Sequence, residues 1–320
     1  MNARFATLAV LLMVLGGPSA SQLLPPSETP DTESYRLAVN VDLVVFHASV
    51  RDRKGRFVSD LGQRDFEIHE DGARQSIRLF QYEDTPVTVG LVVDHSRSMR
   101  PKLAHVIAAA QAFVHSSNPL DQMFIVNFAD GVSLGLPAAV PYTNSPTQLE
   151  DAISNAPAAG MTALYDAVVE GIGQLQAGNH DKKVLLVISD GGDNASAHGL
   201  AQVLKMAEQS NAIIYTIGLF DEGDPDRNPK VLNRLAHQTG GEAFFPGQLS
   251  EVAAVCESIA RDIRNQYTIG YVSTNVTPNG AYRNVRVAAR ATGHGRLRVR
   301  TRAGYIAAGE SRSGEDQTAQ

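Results

Sequence analysis

Residues 89–99 read Val89-Gly90-Leu91-Val92-Val93-Asp94-His95-Ser96-Arg97-Ser98-Met99, an apolar run that ends abruptly in a carboxylate followed by hydroxyls at alternate positions. A near-continuous apolar run suits a parallel strand covered on both faces. Open parallel sheets bind ligands just beyond the carboxyl ends of their strands. Leu103, Ile107, Ala110 and Val114 then recur at the spacing of one helical face, with Pro101 near the first turn, so a helix is expected next. Asp94, Ser96 and Ser98 therefore fall on a strand-to-helix turn, where a spacing of two lets their oxygens converge while His95 and Arg97 point elsewhere. Oxygen-only donors select a hard cation, Mg²⁺ above all.

This Asp-x-Ser-x-Ser-Met run resembles the metal-ion-dependent adhesion site of von Willebrand factor type A domains. In that family the other ligands are a Thr from a second loop and an Asp from a third. Gly160-Met161-Thr162-Ala163-Leu164-Tyr165-Asp166-Ala167 is similar to the Thr loop, and Val187-Ile188-Ser189-Asp190-Gly191 to the Asp loop. The resemblance implies the ligand set Asp94, Ser96, Ser98, Thr162 and Asp190, holding Mg²⁺ or Mn²⁺. It also implies the use: a protein partner presents an Asp or Glu carboxylate that completes the metal's shell. Three ordinary turns capped by Asp, Ser and Thr are the plain alternative. Three matches in chain order, each at a strand or helix boundary, outweigh it.

With 320 residues and 43% hydrophobic composition, the chain has room for two modest globular domains plus tails. A formal net charge of -6 gives no general attraction to nucleic acid or to an anionic membrane. Residues 1–20 read as an export signal, with Arg4 as the positive end, Phe5 to Leu15 as the apolar stretch and Pro18-Ser19-Ala20 as the small-residue cleavage site. The expected location is thus periplasmic, cell-surface or extracellular, without membrane insertion after cleavage, since no later run approaches ~18 apolar residues. Cys256 is the one cysteine, so no internal disulfide forms. Its neighbours Val252, Val255, Ile259 and Ile263 make it a small buried hydrophobe.

Residues 21–36 are rich in Pro, Ser, Thr and acids and read as a linker. Residues 37–86 are all β. Apolar positions alternate from Val39 and then change face at Phe46, suggesting a bulge or two strands, while Phe66–Glu70 and Ile77–Phe80 flank a hairpin signal at Asp71-Gly72. Residues 87–264 alternate apolar strands with amphipathic helices, expected near 102–115, 147–155, 163–176, 200–209, 230–238 and 250–264. Such alternation predicts an α/β fold, a doubly wound and mainly parallel sheet. Residues 265–306 return to strands that cannot bury their apolar face alone, so they are expected to pair with 37–86 as one sandwich-like all-β domain around the inserted α/β domain. Residues 307–320 read as a disordered tail. This layout, with Asp65-Phe66-Glu67, Glu70-Asp71-Gly72 and Arg302-Ala303-Gly304-Tyr305, is similar to the exported VWFA-related family known mainly from acidobacteria.

Other patterns point less far. Gly131-Val132-Ser133-Leu134-Gly135 has the spacing of a hydrolase nucleophile elbow, but Pro137 and Pro141 follow where a helix is needed, so a strand or hairpin is expected. Asp221 to Asp226 collects four carboxylates without an EF-hand register, leaving Ca²⁺ binding open against a solvated loop. Arg283, Arg286, Arg290, Arg296, Arg298, Arg300 and Arg302 lack interleaved aromatics, which favours a solvated or salt-bridged sheet face over nucleic-acid binding. An enzyme using Asp190 or His95 as base, and a structural module with a stabilising metal, are the alternatives to a non-enzymatic metal-dependent binding protein.

Overall fold

Runs that are apolar throughout need cover on both sides, and the middle of the chain supplies that cover with helices. In the computed structural model, residues 43–221, 223 and 227–307 are described. In chain order the elements are β1 Leu43–Arg51, β2 Phe66–Glu70, β3 Ala73–Gln75, β4 Ile77–Gln81, β5 Thr88–Asp94, α1 Leu103–Ser116, β6 Gln122–Phe128, β7 Val132–Leu134, α2 Pro146–Ser154 and α3 Leu164–Ala177. There follow β8 Lys183–Ser189, α4 Leu200–Ser210, β9 Ile213–Gly218, α5 Pro229–Gln238, β10 Ala243–Phe244, α6 Val252–Arg264, β11 Gln266–Val272, β12 Tyr282–Ala289, β13 Arg298–Arg300 and β14 Gly304–Ile306. The export signal, the linker, Val39, Val41 and the tail from residue 308 lie outside the described residues.

The six-stranded sheet runs β10-β9-β8-β5-β6-β7 and is parallel except for β7. Every residue of β5 is buried. Val89, Leu91 and Val93 pack with α1, α2 and α6 on one face, and Val92 packs with α3, α4 and α5 on the other. Complete burial of such a side chain is worth about 1.5–3 kcal/mol. Cys256 is buried in α6, and burial pushes its thiol up to about 12. Ser133 lies exposed on the edge strand β7, which returns antiparallel from β6 with no helix behind it, as the two prolines require. Among the described residues no helix is long and apolar enough to cross a membrane.

The two ends of the chain build two antiparallel sheets, β13-β1-β11-β4 and β14-β12-β2-β3. Phe46, Ala48, Val50, Phe66, Ile68, Tyr267, Ile269, Tyr271, Val285 and Val287 form their shared core. Asp71 and Gly72 both take positive φ, 46° and 86°, the twist that a two-residue hairpin needs.

Two expectations are corrected. β1 is one strand in unbroken register with β11 from Leu43 to Ser49, with Val44, Phe46, Ala48 and Val50 turned into the sandwich. No change of face occurs. Leu43 and Val45, which read as a first apolar face, lie on the side of β1 that lines a cavity of about 940 Å³ shared with Lys182 and Ile213 of the α/β part. The Asp71-Gly72 turn pairs β2 with β3, whereas β4 leaves for the other sheet and pairs with β11. Within the arginine set, Arg283 and Arg300 are salt-bridged, as one of the two expected readings had it. Arg283 is buried on Glu70 at 3.0 Å and also donates to the carbonyls of Asn275 and Thr277, both at 2.7 Å, and to Ser273 Oγ at 3.4 Å. Arg300 crosses to Asp262 on α6, and Arg302 donates to the Val45 carbonyl at 2.7 Å.

Asp262 is the polar joint between the sandwich and the α/β part. It accepts from Ser49 Oγ at 2.8 Å, Tyr215 OH at 2.6 Å and Arg51 at 3.4 Å, besides Arg300. Burial works to raise its carboxyl, but Arg300, the two hydroxyls and Arg51 outweigh that and hold it below the usual carboxylate range.

Candidate metal centre

The site stands at the carboxyl ends of β5 and β8, where the two parallel strands release their chains toward opposite faces. Asp94 is the last residue of β5, and Arg97–Lys102 form a 3₁₀ turn that leads into α1. Met99 is fully buried beneath that turn and anchors it to the core. His95 goes into the interior and Arg97 into solvent.

Four of the five expected ligands meet in one hydrogen-bonded chain. Asp94 Oδ1 accepts the Ser96 N–H at 2.8 Å, and the Ser96 and Ser98 hydroxyls lie 3.1 Å apart. Ser98 Oγ donates to Asp190 Oδ2 at 2.5 Å. Thr162 joins them through its backbone. Its N–H donates to Asn194 Oδ1 at 2.8 Å, and its carbonyl accepts from the N–H groups of Asn194 and Ala195. The Arg97 N–H reaches the Gly160 carbonyl at 3.4 Å, so the Thr loop is tied to both other ligand loops.

Glycines make these loops possible. Gly160 holds φ at +94° with Asp130 Oδ2 only 2.3 Å from where a Cβ would stand. Gly191, at φ +82°, would set a Cβ 2.7 Å from the Asn228 carbonyl oxygen. Gly191 excludes other residues on conformation and on space, since its neighbour is backbone, and Gly160 excludes them on conformation.

Residue spacing alone did not single out the supports. Ser189, though inside the quoted Asp loop, donates to Asp94 Oδ2 at 2.6 Å and accepts from Gly191 N–H at 2.9 Å. Asp130, two residues past β6, accepts the Met161 N–H at 2.5 Å. Asn194 could have been suspected only from its place just after the Asp190-Gly191 turn. Asp193 and Asp166 secure the same loop to the start of α3, through the Tyr165 N–H at 2.9 Å and the His198 N–H at 3.0 Å.

Burial pushes the Asp94 carboxyl up to about 6, with the charge of Asp190 adding to it and the hydroxyls of Ser189 and Ser96 opposing. Such a carboxylate wants positive charge nearby. The donor set is two carboxylates with three hydroxyls, all oxygen, which suits a hard divalent cation and not a thiolate or imidazole metal. Among the described residues no group of three or more His, Cys, Asp or Glu is arranged around a metal position. It is the oxygen chemistry of Asp94, Ser96, Ser98 and Asp190, together with the Thr162 hydroxyl, that fits a Mg²⁺-type ion. His95, weighed as a catalytic base, turns away: its Nε2 pairs with Asn127 Oδ1 at 3.0 Å, and burial lowers its pKa. Of the acidic loop, only Asp221 and Gly223 are described, and Asp221 pairs with Lys102 Nζ at 2.9 Å.

No curated protein matches the chain. Among solved structures, a von Willebrand factor type A protein from Catenulispora acidiphila is 12% identical across 85% of this chain and 76% of its own, with a TM-score of 0.51. The von Willebrand domain of the type V pili tip protein Mfa5 from Porphyromonas gingivalis is 15% identical across 56% of this chain and 95% of that one, with a TM-score of 0.48. Proximal thread matrix protein 1 from the mussel byssus, solved with a zinc-occupied MIDAS motif, is 14% identical across 61% of this chain and 49% of that one, with a TM-score of 0.48. At 12% identity the likeness to the Catenulispora protein is one of fold alone. The profile of the von Willebrand factor type A domain matches residues 88–255, from the start of β5 into α6, and so spans Asp94, Ser96, Ser98, Thr162 and Asp190. More than half of the sequence lies within that match, and the chain belongs to the von Willebrand factor type A domain family.

Proposed function

We propose that the protein is an exported, non-enzymatic binding protein that docks an acidic group of a protein partner on a divalent cation held by Asp94, Ser96, Ser98, Thr162 and Asp190. The observation that carries this reading is the convergence of four of these residues in one all-oxygen network around a carboxyl pushed up to about 6. Export rests on the signal-like residues 1–20. When bound, the cation supplies a Lewis-acidic position for an oxygen of the partner's carboxylate. Ser96 and Ser98 bring neutral oxygens, so with one of Asp94 and Asp190 ligating directly and the other through water the ion keeps uncompensated charge and an exchangeable position for a further anion. Ser189, Asp130 and Asn194 keep the three loops in place while the partner binds and leaves.

The test is thermal melting and calorimetry with Mg²⁺, Mn²⁺ or EDTA. A bound cation stabilises the native state by mass action, about 2.7 kcal/mol at a hundredfold excess over Kd. Saturating Mg²⁺ or Mn²⁺ is therefore expected to raise the Tm of the parent and to do much less for Asp94→Ala. Unchanged Mg²⁺ affinity in Asp94→Ala refutes the site. Binding of an isolated partner is expected to vanish in EDTA and return with Mg²⁺; undiminished binding in EDTA refutes the dock while leaving the metal site standing.

A further inference from the structure

The turn that carries the two ligand serines also carries three basic residues, and the structure treats them unequally. Lys102 is turned inward, 1% exposed, with its Nζ on the Leu219 carbonyl at 2.8 Å and on Asp221 at 2.9 Å. Arg97 and Arg100 are exposed, and among the described residues neither takes part in an ion pair. Residues three apart in a 3₁₀ turn lie on the same side, so the two guanidiniums share the outer face of the turn while Met99 and Lys102 hold its inner face.

Their charge has no counterpart in the ligand set. One carboxylate from a partner answers the charge left on the ion and leaves Arg97 and Arg100 unmatched. The chain as a whole has a net charge of -6, so this cationic rim stands against the overall balance. Met161 adds an apolar element: it is 53% exposed, in the loop whose Gly160 carbonyl bonds to the Arg97 N–H.

We infer that Arg97 and Arg100 are specificity-determining residues that select, for the metal-docked position, an acidic protein segment whose metal-binding Asp or Glu is flanked by further carboxylates. This inference rests on the proposed metal dock and names the partner chemistry that the dock prefers. A rim charge acts within a Debye length, about 8 Å at physiological salt. Each exposed pair contributes ~0.2–1 kcal/mol, so two such pairs give a preference of roughly tenfold, weakening as salt rises.

The experiment uses the whole chain saturated with Mg²⁺ and two fluorescein-labelled peptides, one with a single Asp between Gly and Ser residues, the other with the same Asp between Glu residues. Fluorescence polarisation is expected to show the Glu-flanked peptide bound roughly tenfold more tightly, with the preference shrinking at high salt. In Arg97→Gln/Arg100→Gln the Glu-flanked peptide is expected to fall to about the affinity of the other, while the Mg²⁺-induced rise in Tm is kept or enlarged, which shows that the fold and the metal site survive. Equal affinities in the parent overturn the inference, and so does a preference that persists in the double variant. A Glu preference lost in the variant but insensitive to EDTA keeps the arginine selection and overturns the metal dock. No binding of either peptide at millimolar concentration overturns both.

Discussion

Asp94 and Asp262 are both fully buried carboxylates at the edge of the same sheet-and-helix body, yet their surroundings have opposite effects. Around Asp262 stand Arg300, Arg51 and the hydroxyls of Tyr215 and Ser49, and its carboxyl is held below the usual range. Around Asp94 stand the Ser189 hydroxyl, the Ser96 N–H and another carboxylate, Asp190, and its carboxyl is pushed up to about 6. Burial penalises both charges alike. The difference is the cation. The chain supplies guanidiniums to the carboxylate that joins its two halves and withholds them from the carboxylate that ends β5. One site is complete within the protein, and the other is where the proposed function puts a positive ion from outside.

The largest expected effect lies on the complete side. Asp262→Asn removes the charge on which Arg300 and Arg51 converge and leaves both with Glu242, at 3.7 and 3.5 Å. Breaking a buried pair in this way costs about 3–5 kcal/mol. Urea unfolding is expected to show that loss, with the sandwich strands β1 and β13 gaining protease sensitivity first. A cost under ~1 kcal/mol would remove the contrast between the two carboxylates.

On the other side the sign reverses. Asp94→Asn, measured in EDTA at pH 7, removes a buried charge that nothing in the chain balances and is expected to raise stability by about 1–3 kcal/mol. Destabilisation by Asp94→Asn in EDTA would mean that the hydroxyl and N–H donors already satisfy the carboxylate. The case for a missing cation would then fail.

Lys182 gives the smallest and sharpest variation. It is a buried cation in the same seam, with the Ile263 carbonyl as its hydrogen-bond partner, and burial pushes it from 10.5 down to about 8 against the attraction of Asp262, Asp121 and Asp84. With a lowered native pKa, the unfolded chain holds more protons between pH 8 and 10.5, so stability climbs with pH across that window and the loss is fully felt below it. Lys182→Met is expected to be more stable than the parent by about 1 kcal/mol at pH 7, with the advantage fading by the time the pH reaches the unfolded pKa. Chemical denaturation of parent and variant from pH 7 to 10 checks this. A constant difference across that range would show that Lys182 keeps its ordinary pKa.

What could be read along the chain was whatever local order carries. The six helices and the four central strands follow apolar periodicity, which depends only on near neighbours, and each observed helix lies within about two residues of its expected range. The gathering of Asp94, Ser96 and Ser98 on one turn was legible for the same reason: they lie within five residues of one another at a strand end, where geometry leaves little choice. Arg300 was not. Its alternation with Leu297 and Val299 states which face it occupies but not what covers that face, and only folding brings α6, some forty residues earlier, against it. The same holds for Glu70 and Arg283, a pair 213 residues apart, and for β4, whose sheet is set by a strand from the far end of the chain. Local order along the chain set the alternating α/β plan and the cluster of oxygen side chains after β5. Tertiary structure alone decided which buried charges receive a partner, because charge compensation acts across space and has no period along the chain.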